Sequence, residues 1–563
     1  MKYSEMHYER ADIGNCQDIV NKLIEQFELA DSAVKQIELI KKYNAHKSDW
    51  DSYESIAYVN YSCDTTNDYN LSEKKFWDDN SPLLIELDNK FITSVYNSKH
   101  KQGIIEEWGD HYFNLLEMRL KTFTPEIKDL LAEESKLNNE YTNLLSSAEI
   151  NFQGETYNLT GLGKFIIDSD RDIRKSAVQA KYGFFQENKD ALDNIYDQMV
   201  KVRSQISEKL DFKSYTSLAY LNLGRSDYSE KEVKFYREEI VKHIVPLVRK
   251  LNKKRKEILK LDKLFVYDGI NYPEGDPKPI GTPEELVAKA SKMYHELSPE
   301  SGEFFDIMKN NELMDLVNRK GKQGGGFCTS FPKYELPFIF SNFNGTAGDI
   351  TVLTHEAGHA FQAYQSRKLP LLEYLWPTME ACEIHSMSME FITWPWMKLF
   401  FGENTEKFKF MHMSDSLSFL PYGAQVDHFQ HWVYDNLDAT PKQRKEKWTE
   451  LDQLYRPDLD NDDISFLNDG GMWQGQSHIF NSPFYYIDYT LALICAFQFW
   501  IKFQEEPKSA WEDYLKLCKL GGSLSFTKLI KEVNIDSPFE KDVLKNVTEK
   551  INDWLNSIDT KNL

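Results

Sequence analysis

Apolar residues recur three and four positions apart over most of this chain, the spacing of one face of an α-helix. From about residue 11 to about residue 145 the pattern is long and its polar side heavily charged, as in NLLEMRLKTFTPEIKDLLAEESKLNNEYTNL. It breaks at the polar patch SCDTTNDYN over 62–70. These positions predict an N-terminal helical lobe over residues 1–150 and a larger helical region over 151–563. Turn residues and short β-branched stretches in NFQGETYNLTGLGKF, 151–165, predict a hairpin or connector instead. The Pro- and Gly-dense run YDGINYPEGDPKPIGTPEE, 267–285, predicts irregular chain until a helix starts at Pro283, with Thr282 as N-cap and Glu285 completing a capping box. TLALICAFQFWI, 490–501, is the most apolar long segment; at 12 residues it falls short of the roughly 20 that span a bilayer, so it predicts a buried helix. Pro507 then separates two helices within WIKFQEEPKSAWEDYL.

One segment departs from helical spacing. In GKQGGGFCTSFPKYELPFIFSNFNGTAGDI, 321–350, three consecutive glycines suit a turn or a close backbone approach, and Leu336 to Phe343 is a β-capable run ending at Asn344-Gly345. A small β-sheet therefore precedes the helix that follows, which Thr346 is expected to cap with Asp349 at its third position. Phe338 to Phe343 reads in two ways, as a strand at a cleft edge that pairs with a bound peptide backbone, or as an ordinary core strand.

Composition narrows the class. The 563 residues carry 89 acidic against 67 basic side chains, a formal charge of −22, which disfavours a phosphate-binding surface and hence nucleic acid as a partner. Six scattered cysteines without a CxxC pair suit reduced thiols. MKYSEMHYER turns acidic before any apolar core develops, so no export signal is legible; with no membrane segment either, the expected location is cytoplasmic.

The candidate chemistry lies in THEAGHA, 354–360, which sets His355 and His359 one helical turn apart with Glu356 beside them. That spacing lets two imidazoles hold one zinc ion while a carboxylate takes the proton of an attacking water. Ala357, Gly358 and Ala360 are small, as if leaving room beside the helix for a metal and a substrate. A third ligand is sought among Glu373, Glu380, Glu383, His385 and Glu390. In EIHSMSME, Glu383, Ser386 and Glu390 share one helical face while His385 points away, which selects Glu383. Glu380 or Glu390 could then accept the N–H of a ligand histidine. His428 and His431 read as core or cleft-lining residues.

THEAGHAFQ followed by EIHSMSME, with later SHIF and PFYYIDY, resembles the thimet-oligopeptidase-like zinc metallopeptidases, and more closely their oligoendopeptidase F branch. SYTSLAYLNLGRSDYS at 214–229 and GGGFCTS at 324–330 support it. The resemblance implies a mainly α, multi-helical, two-lobed zincin with a deep substrate channel and the small sheet beside the HExxH helix. It implies one zinc per chain on His355, His359 and Glu383, Glu356 as general base, and short peptides as substrates. His478, Tyr485 and Tyr489 would stabilise the tetrahedral intermediate, with the register of Tyr485 against Tyr486 open. Two rival functions stand beside an endopeptidase. The 23 residues between His359 and Glu383 also resemble dipeptide-releasing zinc carboxypeptidases, and a non-enzymatic helical peptide-binding scaffold would leave Glu356 without a purpose. The sequence leaves the oligomeric state, the natural substrate and the metal loaded in the cell open.

Overall fold

The periodic segments form the helices expected of them. The computed structural model describes residues 1–559 and is mainly helical, with two small sheets. Helices Ile13–Leu29, Ala33–Cys63 and Asp68–Tyr96 each begin on a side-chain acceptor, Asp12, Ser32 and Asn67, which takes a free backbone N–H of the first turn. The polar patch at 62–70 contains the turn, 64–67, between the second and third of them. The N-terminal helices bury a core of their own around Trp50, Trp77, Phe91 and Tyr112, which Leu371 and Tyr374 join from the remainder of the chain. Tyr374 also donates its hydroxyl to the carbonyl of Trp108 at 2.8 Å.

Strands β1 (Ile150–Phe152) and β2 (Glu155–Tyr157) pair antiparallel as a hairpin. Thr282 caps helix Pro283–Leu297 in a full capping box, and Pro507 opens helix Pro507–Leu520 directly after helix Tyr486–Glu505, which holds the buried apolar run. Among the described residues no helix is long and apolar enough to cross a membrane.

The second sheet has the order β3 (Met314–Val317), β5 (Leu336–Phe343), β4 (Phe327–Phe331), with β3 parallel and β4 antiparallel to β5. The strand over Phe338–Phe343 is therefore the central one and has no edge to offer a peptide. Its side chains from Pro337 to Ser341 are all buried, so a partner on each side satisfies its backbone. The outer strands are β3 and β4, and in β4 Phe327 to Ser330 are half-exposed.

Directly after β5 comes the motif helix, Gly348–Ser366, and here the expected cap is corrected. The residue at the N-cap is Ala347, with no side-chain bond. Asp349 turns back and accepts the N–H groups of Asn344 and Gly345 at 2.9 and 2.8 Å, while Thr346 donates its hydroxyl to Asn344 Oδ1 at 2.7 Å. The carboxylate, the strongest acceptor nearby, is taken by the turn at Gly345, whose φ is +83°.

A second correction concerns the small residues of the motif. Ala357 and Ala360 are fully buried, and a Cβ at Gly358 would lie 2.5 Å from the carbonyl oxygen of His385 and 2.6 Å from Cα of Ser386. They let the motif helix press against the ligand helix, Met379–Ile392, rather than leaving a void for a substrate.

Candidate metal centre and cleft

That close crossing assembles the donor set. His355 and His359 project from one face of the motif helix, and the ligand helix brings Glu383 to meet them. Glu383 Oε2 stands 3.3 Å from His355 Nε2 and 3.5 Å from His359 Nε2, and the three donor atoms all lie within 4.8 Å of one another. His355 Nδ1 faces Glu390 Oε1 at 2.7 Å, so its ring donates there and turns the Nε2 lone pair toward Glu383. Lone pair against carboxylate is repulsive unless a cation sits between them, and two nitrogens with one oxygen are a zinc donor set. Electrostatics agree. Burial opposes charge on His355, yet Glu383 and Glu390 hold its pKa well above the imidazole range; burial raises Glu383, yet His359 and His355 hold it well below the carboxylate range. The cluster calls for positive charge.

The other third-ligand candidates are sorted by the same helices. Glu390 is the acceptor behind His355, and its second oxygen meets His412 Nε2 at 2.7 Å. Trp394 Nε1 donates to His412 Nδ1 at 3.0 Å, which makes Nε2 the protonated nitrogen and directs it at Glu390. Glu380 is fully buried, neither a ligand nor a solvated charge, and accepts from the Tyr228 hydroxyl at 3.1 Å. His385, on the ligand helix itself, is fully buried facing Tyr514, and Glu373 lies near Asp88, Lys47 and Arg119 of the N-terminal helices. His431 bonds Tyr220 and His428 bonds Tyr455, as packing residues do.

Glu356 is 6 % exposed, and its Oε2 has no hydrogen-bond partner. Burial raises its pKa against the pull of His355 and His359. A Cβ at Gly326, at the foot of β4, would lie 3.4 Å from Glu356 Oε1, so the glycine run brings bare backbone to this carboxylate. Across from it stand the residues of the PFYYIDY segment. Tyr485 donates its hydroxyl to Glu383 Oε1 at 2.9 Å, whereas Tyr489, one helical turn on, lines the open cavity with His478. The register left open in the sequence is thus Tyr485 toward the metal cluster and Tyr486 packed near Tyr422 and Phe419.

The tautomer of His478 follows from its partners. Tyr422 donates to Gln476 Oε1 at 2.8 Å, which orients that amide, and Gln476 Nε2 then donates to His478 Nδ1 at 2.9 Å. His478 Nε2 must carry the proton. Burial lowers the pKa of the ring, against the pull of Glu383, so it is held as a neutral donor.

Two residues that the sequence reading missed hold the tyrosine turn. Phe484 has φ +65°, a costly left-handed conformation for a bulky side chain. Gln430 Oε1 accepts its N–H at 2.9 Å, and Arg225 Nη2 donates to its carbonyl at 2.7 Å and to Asp488 Oδ1 at 2.5 Å. Arg225 and Asp488 are fully buried. Arg225 thus holds the chain at Phe484 and Asp488, on either side of Tyr485. Only the GRSDYS string hinted at Arg225, and Gln430 sat unmarked in a long helix.

Comparison with known proteins gives the same answer. The family described as Peptidase family M3 matches residues 165–549, and the Peptidase M3 N-terminal domain matches residues 3–123. A solved structure of PZ peptidase A with an inhibitor is 48% identical with a TM-score of 0.94, covering 99% of this chain and 100% of that one. The oligoendopeptidase F homolog of Borreliella burgdorferi is 25% identical over 470 residues, 78% of this chain and 75% of that protein. Oligopeptidase PepF of Bacillus subtilis is 22% identical over 481 residues, 79% of this chain and 68% of that protein. With two family models spanning most of its length and a His-His-Glu cluster of zinc-binding type beside a buried glutamate, the chain belongs to peptidase family M3, in its oligoendopeptidase F branch.

Proposed function

We propose that this zinc metallopeptidase cuts internal bonds of short peptides with Glu356 as its general base. The carrying observation is the buried Glu356 carboxylate, whose Oε2 is free of any hydrogen bond beside the His355, His359 and Glu383 cluster. When bound, zinc supplies the Lewis acidity that activates water and polarises the scissile carbonyl. Glu356, its pKa raised by burial, accepts the proton of the attacking water and hands it to the leaving amine. The neutral His478 Nε2–H and the Tyr489 hydroxyl donate to the carbonyl oxygen as negative charge develops on it. Tyr485, bonded to Glu383, orients that ligand. The half-exposed edge of β4 next to Glu356 suits an extended peptide backbone.

Internal cleavage is favoured over release of C-terminal dipeptides by the wall of the cavity beside the cluster. It is lined by the carboxylates Glu390 and Asp415 and by no lysine or arginine, whereas a clamp for a terminal carboxylate needs a cation. The two-lobed channel, with residues 1–150 as one lobe, is part of the same reading and is supported over residues 16–116 by the separate core of the N-terminal helices, whereas Ile127, Leu137 and Tyr141 pack into the main core. Metal analysis is expected to give about one zinc per chain. A peptide blocked at both ends should be cut, and a strong chelator should stop the cutting; activity that survives chelation, or that requires a free C-terminus, overturns the proposal.

A further inference from the structure

The cavity beside His355 has a volume of 580 Å³ and walls from four long helices, with His478 added from the short helix Ser477–Asn481. Val352 of the motif helix, Met387 of the ligand helix, Met411 and Phe419 of helix Thr405–Asp435, and Leu493 of helix Tyr486–Glu505 make it largely apolar. Asp415 interrupts that surface. It stands one turn from both Met411 and Phe419 on the same helical face, and its side chain is exposed to the cavity.

The lining carboxylates differ in their partners. Glu390 gives one oxygen to His355 and the other to His412. Asp415 accepts one bond, from Asn271 Nδ2 at 3.2 Å. Among the described residues it has no ion pair within 4.0 Å. The charged and titratable groups around it are Asp276, which adds negative potential, His412 of its own helix, and Arg255, which pulls from outside ion-pair range and bonds Asn252 Oδ1 at 3.0 Å. Burial and Asp276 push the Asp415 carboxyl up to about 6. An exposed carboxylate among apolar walls, without a counter-ion, projects negative potential into the cavity, and a cation brought by the ligand can pair with it there.

We propose that this cavity is a subsite for a lysine or arginine side chain of the peptide, with Asp415 as its counter-ion. The methylene stem would lie along Val352, Met387 and Phe419 while the charged end reaches the carboxylate, the arrangement long basic side chains adopt on apolar surfaces. The proposal rests on the peptidase reading above. It goes beyond it by naming one residue that selects the substrate.

The test uses peptides blocked at both ends and identical except for one residue on either side of the scissile bond, which is lysine, its uncharged isostere norleucine, or glutamate. On one side of the bond the full-length zinc enzyme should favour lysine over norleucine by about 10- to 100-fold in kcat/KM. Asp415→Asn should shrink that ratio to within about threefold, and Asp415→Lys should move the preference to glutamate. Affinities of the same peptides for the zinc-loaded Glu356→Gln protein, measured by calorimetry with and without Asp415→Asn, should follow the same order. Norleucine cut as well as lysine on both sides, or a lysine preference that survives Asp415→Asn, overturns the subsite while leaving the peptidase reading intact. Failure to cut any peptide of the set overturns both.

Discussion

At the scale of single residues, the cluster separates holding the metal from moving protons. Glu356→Gln keeps the shape of the side chain but cannot accept a proton. It should lower kcat by on the order of 10²- to 10⁴-fold while about one zinc per chain is retained. Glu383→Ala should lose zinc and activity together, and metal analysis of the two purified variants checks the distinction. Half of wild-type turnover in Glu356→Gln would remove the general-base role. Much of this was legible in the sequence, because His355, Glu356 and His359 are neighbours on one turn and need no tertiary information. Glu383 was legible through its helical face, and the same logic explains where it strayed. Seven residues on, Glu390 returns to within about 20° of Glu383 and backs His355, whereas Glu380, three residues earlier, sits about 60° off and is drawn into the Tyr228 and Arg225 side of the helix. His412, Gln430 and Asp415 were not legible. Each acts on a residue far away in sequence, and nothing in its own neighbourhood marks it.

At the scale of elements, the metal site is a product of how closely two helices cross. Gly358 faces the backbone of the ligand helix, and the added methyl of Gly358→Ala would have to displace the His385 carbonyl and Ser386 Cα. The helices must then part, which moves Glu383 away from both histidines although no ligand has been changed. Zinc affinity should fall by at least tenfold in Gly358→Ala, read by competition with a chromogenic chelator, while Ala360→Gly should have a much smaller effect. Unchanged affinity in Gly358→Ala would mean that the helix spacing does not set the donor geometry. The sequence showed that the motif helix exists and that residue 358 is small, but whether a small residue makes room for a ligand or for a neighbouring backbone depends on the partner helix. For the same reason Phe338–Phe343 was recognisable as a strand, while its central place in the sheet depends on β3 and β4 arriving on either side.

At the scale of the whole molecule, the N-terminal helices flank the sheet that borders the site. Helix Ala33–Cys63 places Tyr58 against Phe327 of β4 with ring centroids 5.2 Å apart, and the backbone N–H of Lys333 bonds Ser52 Oγ at 2.9 Å. On the channel reading, a peptide must enter extended past this wall, so a mass-spectrometric digest should show short peptides cut and stably folded proteins spared. Efficient cleavage of a folded domain would refute that reading. On the reading that the peptide adds as a strand to the outer edge of β4, its main chain is what is recognised. Strand addition uses main-chain amides, and only every second residue of the added strand directs its N–H toward the edge. Replacing single amide hydrogens of a good substrate by N-methyl groups should therefore abolish cleavage with a period of two along the peptide, whatever the side chains are. Proline, which has no amide hydrogen, should be tolerated at alternate positions and refused between them.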